Sequence, residues 1–431
     1  MLHQGTRWVM RVTRLRACSD DVGRSEFVGS FERRRLTASA SRLSRWEYGQ
    51  SGSSYRLLRA YEDGAGLPPF LLFALNDRQR RATEDAFSPT PTFDVTEGIG
   101  ADDIYLILDR VVLGREVTGS EWYALAAFAS SNGYFYLSPA NTRLIARRLL
   151  VELARSIGPG YILRFEAMHL LASMPRVDVA LIEEFMALVA ADSTGMIGDA
   201  VSLVLRPAPA VARALAQQLR DSGTAAAQQS AAWIEDVLRD RSARPDPAVK
   251  RSELIARRDQ ICSDLPAWAS AKLEDEITKP LVDTALGGRS RLQRHEASLL
   301  LMVAGVQETV EAALLDVFEV EKDPLWRMRL ANLHEYLIPP GDPGRLEALA
   351  LAEQHPEVRR ALWNSRGHSP ESIEPSEELL DQLGDPEARG SVTVALGLSG
   401  SVDENLLARS EVAAVRPVLE WWQEQGPALN S

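Results

Sequence analysis

Two arginines three residues apart, Arg42 and Arg45, lie in the stretch Ser39-Ala40-Ser41-Arg42-Leu43-Ser44-Arg45-Trp46-Glu47-Tyr48-Gly49. A guanidinium donates two parallel hydrogen bonds to the acceptor edge of guanine, a serine hydroxyl bonds to either kind of base, and an alanine methyl packs on that of thymine. Read as a helix, the stretch turns Leu43 and Trp46 inward at i and i+3 and leaves Ala40, Ser41, Arg42 and Arg45 on or near the exposed face. Ser39 fits the N-cap position, where its hydroxyl and the helix N-terminus suit a phosphate. Arg33, Arg34 and Arg35 run just ahead of it and bring charge without base selectivity. Glu47 suits an ion pair with an arginine of the same domain better than any chemistry.

The elements that would hold this stretch are short helices. Residues 8–17 carry Trp8, Val9, Val12 and Leu15 at helical spacing, and after Gly23 residues 24–35 carry Phe27, Val28 and Phe31. Residues 37–48 form the third expected helix, ended by Gly49 and the polar run 50–54. Residues 55–63 form a fourth, with Leu57, Leu58 and Tyr61 apolar, and Gly64, Gly66 and Pro68-Pro69 introduce a fifth over 70–80.

Five helices of this size are the architecture of the lambda-repressor-type (Xre-type) helix-turn-helix domain. The chain resembles actinobacterial members of that family in Ser44-Arg45-Trp46-Glu47-Tyr48-Gly49, followed by Leu58-Arg59-Ala60-Tyr61-Glu62 and Gly66-Leu67-Pro68. It departs from the family in its second helix, which reads Glu26-Phe27-Val28-Gly29-Ser30 where Gln-x-x-Leu-Ala is usual, and in a turn lengthened by Arg33-Arg34-Arg35-Leu36-Thr37. The resemblance implies that the third helix enters the major groove of a DNA duplex by its N-terminal end. Arg42 and Arg45 are then the base readers, with Ser41 and Ala40 as weaker base contacts and Arg33, Arg34, Arg35 and Ser39 on phosphates. It implies a homodimer as well, because one such head buries little surface and half-sites lie about one turn apart.

The charge distribution agrees. Residues 1–81 hold fifteen arginines, no lysine and eight carboxylates, a balance of +7, while the rest of the chain carries −19 of the total −12. A basic head on an acidic body confines contact with phosphates to the head. The composition, 45% hydrophobic and 25% charged, is that of a globular protein. No apolar run reaches the eighteen residues of a membrane span, no secretory leader is visible, and the two cysteines, Cys18 and Cys262, form no disulfide framework. These observations predict a cytoplasmic protein with no membrane partner.

A head over 1–82 is expected to connect through a Pro/Thr-rich linker at 83–100, containing Ser88-Pro89-Thr90-Pro91-Thr92, to a helical body. The body reads as a helical domain over 101–288, with helices expected at 104–113, 121–130, 141–157, 161–173, 177–191 and 196–205, and as HEAT-like repeats over 289–431. The repeats are marked by Asp323-Pro324-Leu325-Trp326-Arg327, His355-Pro356-Glu357-Val358-Arg359 and Asp385-Pro386-Glu387-Ala388-Arg389, whose starts are 32 and 30 residues apart. Asp caps a helix, Pro fits its first turn, and Arg reaches a neighbouring unit. The fold class is all-α, a five-helix lambda-repressor-like head followed by an α-solenoid.

Nothing in the body has the spacing of a catalytic or metal site. His169, His295, His334, His355 and His368 stand singly, no phosphate-binding loop or nucleophile elbow is present, and Glu183-Glu184 and Asp275-Glu276 lie on polar faces. Tyr134-Phe135-Tyr136 and Trp421-Trp422 suit a core better than a ligand pocket. No cofactor, metal or enzymatic activity is expected. The leading expectation is a sequence-specific DNA-binding transcriptional regulator whose body dimerises or receives a protein or small-molecule effector. The alternative is a HEAT-like interaction scaffold whose head no longer reads DNA, and a more distant one is a helical enzyme or receptor without a recognisable motif.

Overall fold

The computed structural model describes residues 2–19, 21–83, 93, 98–132, 135, 137–174, 176–190, 209–221, 228, 231–232, 234–235, 238, 249–263, 265, 278–409, 412–413 and 415–430. The expected helix at 196–205, the segment Ser88-Pro89-Thr90-Pro91-Thr92 and Asp275-Glu276 lie outside them, as do Tyr134 and Tyr136. Among the described residues there are helices and no strand, so the all-α expectation holds. The chain divides into two compact units, one built on Met1–Phe185 and the other on Met186–Pro266 and Lys272–Leu429.

The first unit begins with α1 (Gln4–Ala17), α2 (Asp21–Arg33), α3 (Ala40–Glu47), α4 (Tyr55–Ala65) and α5 (Leu71–Thr83). All five helices expected in the head are present. The core they share is aromatic: Phe27 and Phe31 of α2 meet Tyr61 of α4 at ring-centroid distances of 5.4 and 5.2 Å. Ser30 Oγ, fully buried between the same two helices, donates to the Ala60 carbonyl at 2.8 Å. Gly64 makes this close approach possible, since a Cβ there would lie 2.7 Å from Ser30 Oγ and 2.8 Å from the Phe27 ring. Gly66, left-handed at φ 66°, closes α4 as its C-cap.

Next come α6 (Ala101–Val112), α7 (Gly119–Ser131), α8 (Pro139–Ala154), α9 (Gly158–Leu171) and α10 (Val177–Ala190). The head and these helices share one unit, because α5 is buried on two sides. One face packs on α1 and α4, and the other packs on α9. Asp77 of α5 accepts from the Tyr123 hydroxyl of α7 at 2.8 Å, Arg81 forms an ion pair with the buried Glu166 of α9, and the Arg78 guanidinium lies 4.5 Å from the Phe165 ring centre. Phe70, just ahead of α5, stacks on Tyr123 at 6.1 Å. Deeper in the same unit Glu152 accepts from Trp122 Nε1 at 2.7 Å and from Arg148 and Arg164 at 2.8 and 3.2 Å.

The second unit contains α11 (Pro209–Asp221), α12 (Arg251–Ile261), α13 (Lys279–Gly287), α14 (Arg291–Ala304), α15 (Gln307–Val320), α16 (Pro324–Glu335), α17 (Pro343–Ala352), α18 (Pro356–Gly367), α19 (Glu377–Gly384), α20 (Arg389–Leu398), α21 (Glu404–Leu407) and α22 (Arg416–Gln425). Helix α16 packs on α18 and α18 on α20, with α17 against α18 and α19 against α20. Trp421 and Trp422 are core residues, the latter lying against Gly397, where any Cβ would meet its ring at 2.0 Å.

The three Pro-x-x-Arg motifs tie these helices in series. Arg327 bonds to Glu353, two residues ahead of the second motif, at 2.6 Å, and Arg359 bonds to Asp385, the first residue of the third, at 2.9 Å. Arg257 of α12 reaches Glu321, two residues ahead of the first motif, at 2.6 Å. Asp323 caps α16 through the N–H groups of Leu325 and Trp326, as the motif implies. At the other two positions the local geometry differs. His355 makes no side-chain cap bond, and Asp385-Pro386 forms a turn that precedes α20, which begins at Arg389. Burial alone would raise the Glu353 carboxyl, but the His355 N–H and the Arg327 guanidinium outweigh it and hold it below its ordinary value. Arg327→Ala would strand that carboxylate, so the variant should lose roughly 2–4 kcal/mol of stability in a urea titration.

Candidate nucleic-acid interface

Helix α3 is eight residues long, too short to be stable without its surroundings. Ser39, in an extended conformation, accepts from the Arg42 N–H and caps it, as the sequence suggests. At the other end Tyr48 and Gly49 donate their N–H groups to Ser44 and Trp46, and Gln50 donates to the Arg45 carbonyl at 2.7 Å. Gly49 is left-handed at φ 71°. Leu43 is buried and Trp46, half-buried, stacks on Phe31 with rings 14° from parallel.

Glu47 fixes the orientation of the helix. Its carboxylate, 1% exposed, takes two bonds from Arg14 of α1, at 2.6 and 2.9 Å, and one from the Tyr61 hydroxyl of α4, at 2.8 Å. Burial would lower the Arg14 guanidinium, but Glu47 outweighs it and holds it raised. Burial, joined by the Glu47 charge, pushes the Tyr61 phenol well above its ordinary range. A carboxylate buried on one face leaves the opposite face of α3 free.

Ser41, Arg42 and Arg45 lie on that face, and Ala40, at the start of the helix, is exposed as well. Arg45 Nε donates to the Ser41 carbonyl one turn back at 3.3 Å, which draws its guanidinium along the helix. The exposed Ser39 and Ser41 hydroxyls are 3.3 Å apart. Arg33 and Arg35 are exposed, and Arg35, at φ 57°, lies two residues past the end of α2, where its N–H bonds to the Glu32 carbonyl. Arg34 differs from its neighbours. It is half-buried and bonded through Nε and Nη2 to Asp63 at 2.9 and 2.7 Å, so a phosphate would have to compete with that carboxylate.

Sequence reasoning missed Glu62. Fully buried, it accepts the N–H groups of Phe70 and Leu72 at 2.9 and 2.8 Å and so caps α5 from a distance, while Arg59 pairs with it from the preceding turn. The signal was present but indirect. Pro68-Pro69-Phe70 supplies no Ser, Thr, Asp or Asn at the start of α5, and buried helix N–H groups need an acceptor from somewhere. Desolvation pushes the Glu62 carboxyl up to about 7, although Arg59 and the two N–H groups pull the other way. The adjacent pair Tyr61-Glu62 thus serves two helices, Tyr61 joining α3 and Glu62 joining α5.

Folding also assembles three residues that spacing keeps apart. Ser365 Oγ lies 2.6 Å from His334 Nδ1, and His334 Nε2 lies 3.2 Å from Glu311 Oε1. The order serine, histidine, carboxylate is that of an activated nucleophile. Ser365 is 1% exposed, however, and its hydroxyl bonds to the His334 carbonyl, while Glu311 holds the Gly341 N–H at 2.6 Å. A nucleophile needs an open line to its substrate, and this serine has none; the three residues tie α15, α16 and α18 together. Among the described residues no group of three or more His, Cys, Asp or Glu side chains could hold a metal ion, and no helix is long and apolar enough to cross a membrane. Comparison with family models, curated proteins and solved structures returns no match for the chain.

Two outcomes follow from the carboxylates. Glu47→Gln keeps the shape but removes the charge that Arg14 and Tyr61 bond to, and should cost roughly 2–3 kcal/mol in chemical denaturation. Because the folded-state value of Glu62 lies above that of an unfolded glutamate, its contribution is complete below about pH 4.5 and is lost as the pH rises through about 7. Stability measured against pH should show that one-proton decline in the wild type and not in Glu62→Gln.

Proposed function

We propose that the chain is a sequence-specific DNA-binding transcriptional regulator, with α1–α5 as a lambda-repressor-like head and α3 as its recognition helix. The observation that carries this reading is the exposed face of Ser41, Arg42 and Arg45, with Ala40 exposed at the helix start, on a short helix anchored from behind by Glu47. A fixed helix suits base reading, because each bond to a base edge is gained without first ordering the helix that presents it. The balance of +7 in residues 1–81 against −19 in the remainder supports phosphate contact by the head alone. The reading includes a dimer on paired half-sites. It also takes the serial bonds Arg327–Glu353 and Arg359–Asp385 as support for a HEAT-like stack that receives a protein or small-molecule effector.

Selection of genomic fragments by the full chain, followed by mobility shift on the fragments recovered, tests it. Arg42→Ala and Arg45→Ala should each cost roughly 1–3 kcal/mol on the selected sequence and much less on an unrelated duplex, so that sequence choice relaxes. Equal affinity for selected and unrelated duplexes, in the wild type and both variants, would rule the reading out.

A further inference from the structure

Two arginines of α1 have no partner where one is physically needed. Arg11 is 5% exposed, yet it forms no ion pair or hydrogen bond with any described residue, and its Nε is buried without an acceptor. Its guanidinium lies 5.0 Å from the centre of the Tyr48 ring, a contact that partly offsets desolvation but neutralises no charge. Arg7, one turn earlier on the same face of α1, is half-buried, and its Nε also lacks an acceptor. Its guanidinium lies against Gly49, so close that a Cβ at that position would fall 1.6 Å from Nη1. Arg14, the next arginine along, has Glu47. The remaining two have nothing equivalent.

Capping α3 does not explain them. The last carbonyls of that helix, those of Ser44, Arg45 and Trp46, already accept from Tyr48, Gln50 and Gly49. A charge withdrawn from water without a counter-ion is costly, so the buried Arg11 with the half-buried Arg7 beside it makes a place suited to an anion. The position of the pair suggests the anion. Ser41, Arg45 and Tyr48 follow one another at i, i+4 and i+7, so Tyr48, with 52% of its surface exposed, continues the exposed face of α3 toward its C-terminal end. Arg7 and Arg11 stand at that end.

We propose that Arg7 and Arg11 form a phosphate site, occupied by a backbone phosphate of the duplex that lies along Ser41, Arg45 and Tyr48. Two guanidiniums one turn apart offer donors to separate oxygens of a single phosphate, and Gly49 leaves room for the Arg7 head beside them. The site adds affinity and register without reading bases. The choice of DNA as the source of the phosphate rests on the regulator reading above; the chemistry of the site alone is that of any phosphate group.

The test uses the full chain, a fluorescein-labelled mixed-sequence duplex of thirty base pairs, and potassium chloride from 50 to 200 mM. For the Arg7→Gln/Arg11→Gln double variant, the slope of log affinity against log salt should be shallower by about 0.9, the loss of one phosphate contact. Arg42→Ala serves as a comparison that leaves the pair intact. Gly49→Ala, which crowds the Arg7 head without removing charge, should also lower the affinity. Far-UV circular dichroism confirms that each variant is folded. A wild-type slope retained in the double variant overturns the proposal. If the wild type binds no duplex at all, the regulator reading fails separately, and melting in 10 mM inorganic phosphate decides the site. Stabilisation of the wild type but not of the double variant keeps it as a site for a small phosphate compound, and equal shifts remove it.

Discussion

The bond between Glu47 and its two partners, Arg14 and Tyr61, is the constraint on which the head depends. Helix α3 is too short to persist alone, and its apolar contacts, Leu43 and the half-buried Trp46, hold it against the core without setting its roll. A carboxylate sealed between a guanidinium and a phenol permits only one roll, because any other would leave a charge buried without a partner. Everything proposed for the exposed face follows from that fixed orientation. If the helix could turn about its axis, Arg42 and Arg45 would have no defined register.

The same logic recurs through the first unit. Glu62 holds the start of α5, Glu166 holds its end through Arg81, Asp77 takes the Tyr123 hydroxyl, and Glu152 gathers Trp122, Arg148 and Arg164. Each is a carboxylate inside a helix-helix seam, with a donor from a different element. Apolar packing tolerates small slides between helices, whereas such bonds fix a register. In the second unit arginines play the corresponding part, linking α12, α16 and α18 to the start of the next motif or the residues just ahead of it.

Local sequence patterns found the helices and the side chains that serve a single helix: the Ser39 cap, Leu43 under α3, the five elements of the head and the aspartate cap of α16. Polar pairing across long sequence separations stayed out of reach. Arg14 and Glu47 are 33 residues apart and Arg81 and Glu166 are 85 apart, so no local pattern connects them. Arg34 looked like its neighbours Arg33 and Arg35 because nothing nearby in sequence reveals that Asp63 faces it. Ser365, His334 and Glu311 met only when three helices stacked. The motif Leu58-Arg59-Ala60-Tyr61-Glu62 was visible as a motif, and the reason for it, one residue for each of two neighbouring helices, was not.

Helix α5 gives the head no swivel of its own. Buried against α1 and α4 on one side and α9 on the other, it makes the helices that carry the exposed face of α3 continuous with those that follow. On the proposed reading, two copies of the chain on one duplex could not adjust the distance between their α3 helices by letting the heads drift. That distance would be dictated by whatever holds α6–α9 of each copy, so a rearrangement there would be read at the DNA as a change of reach.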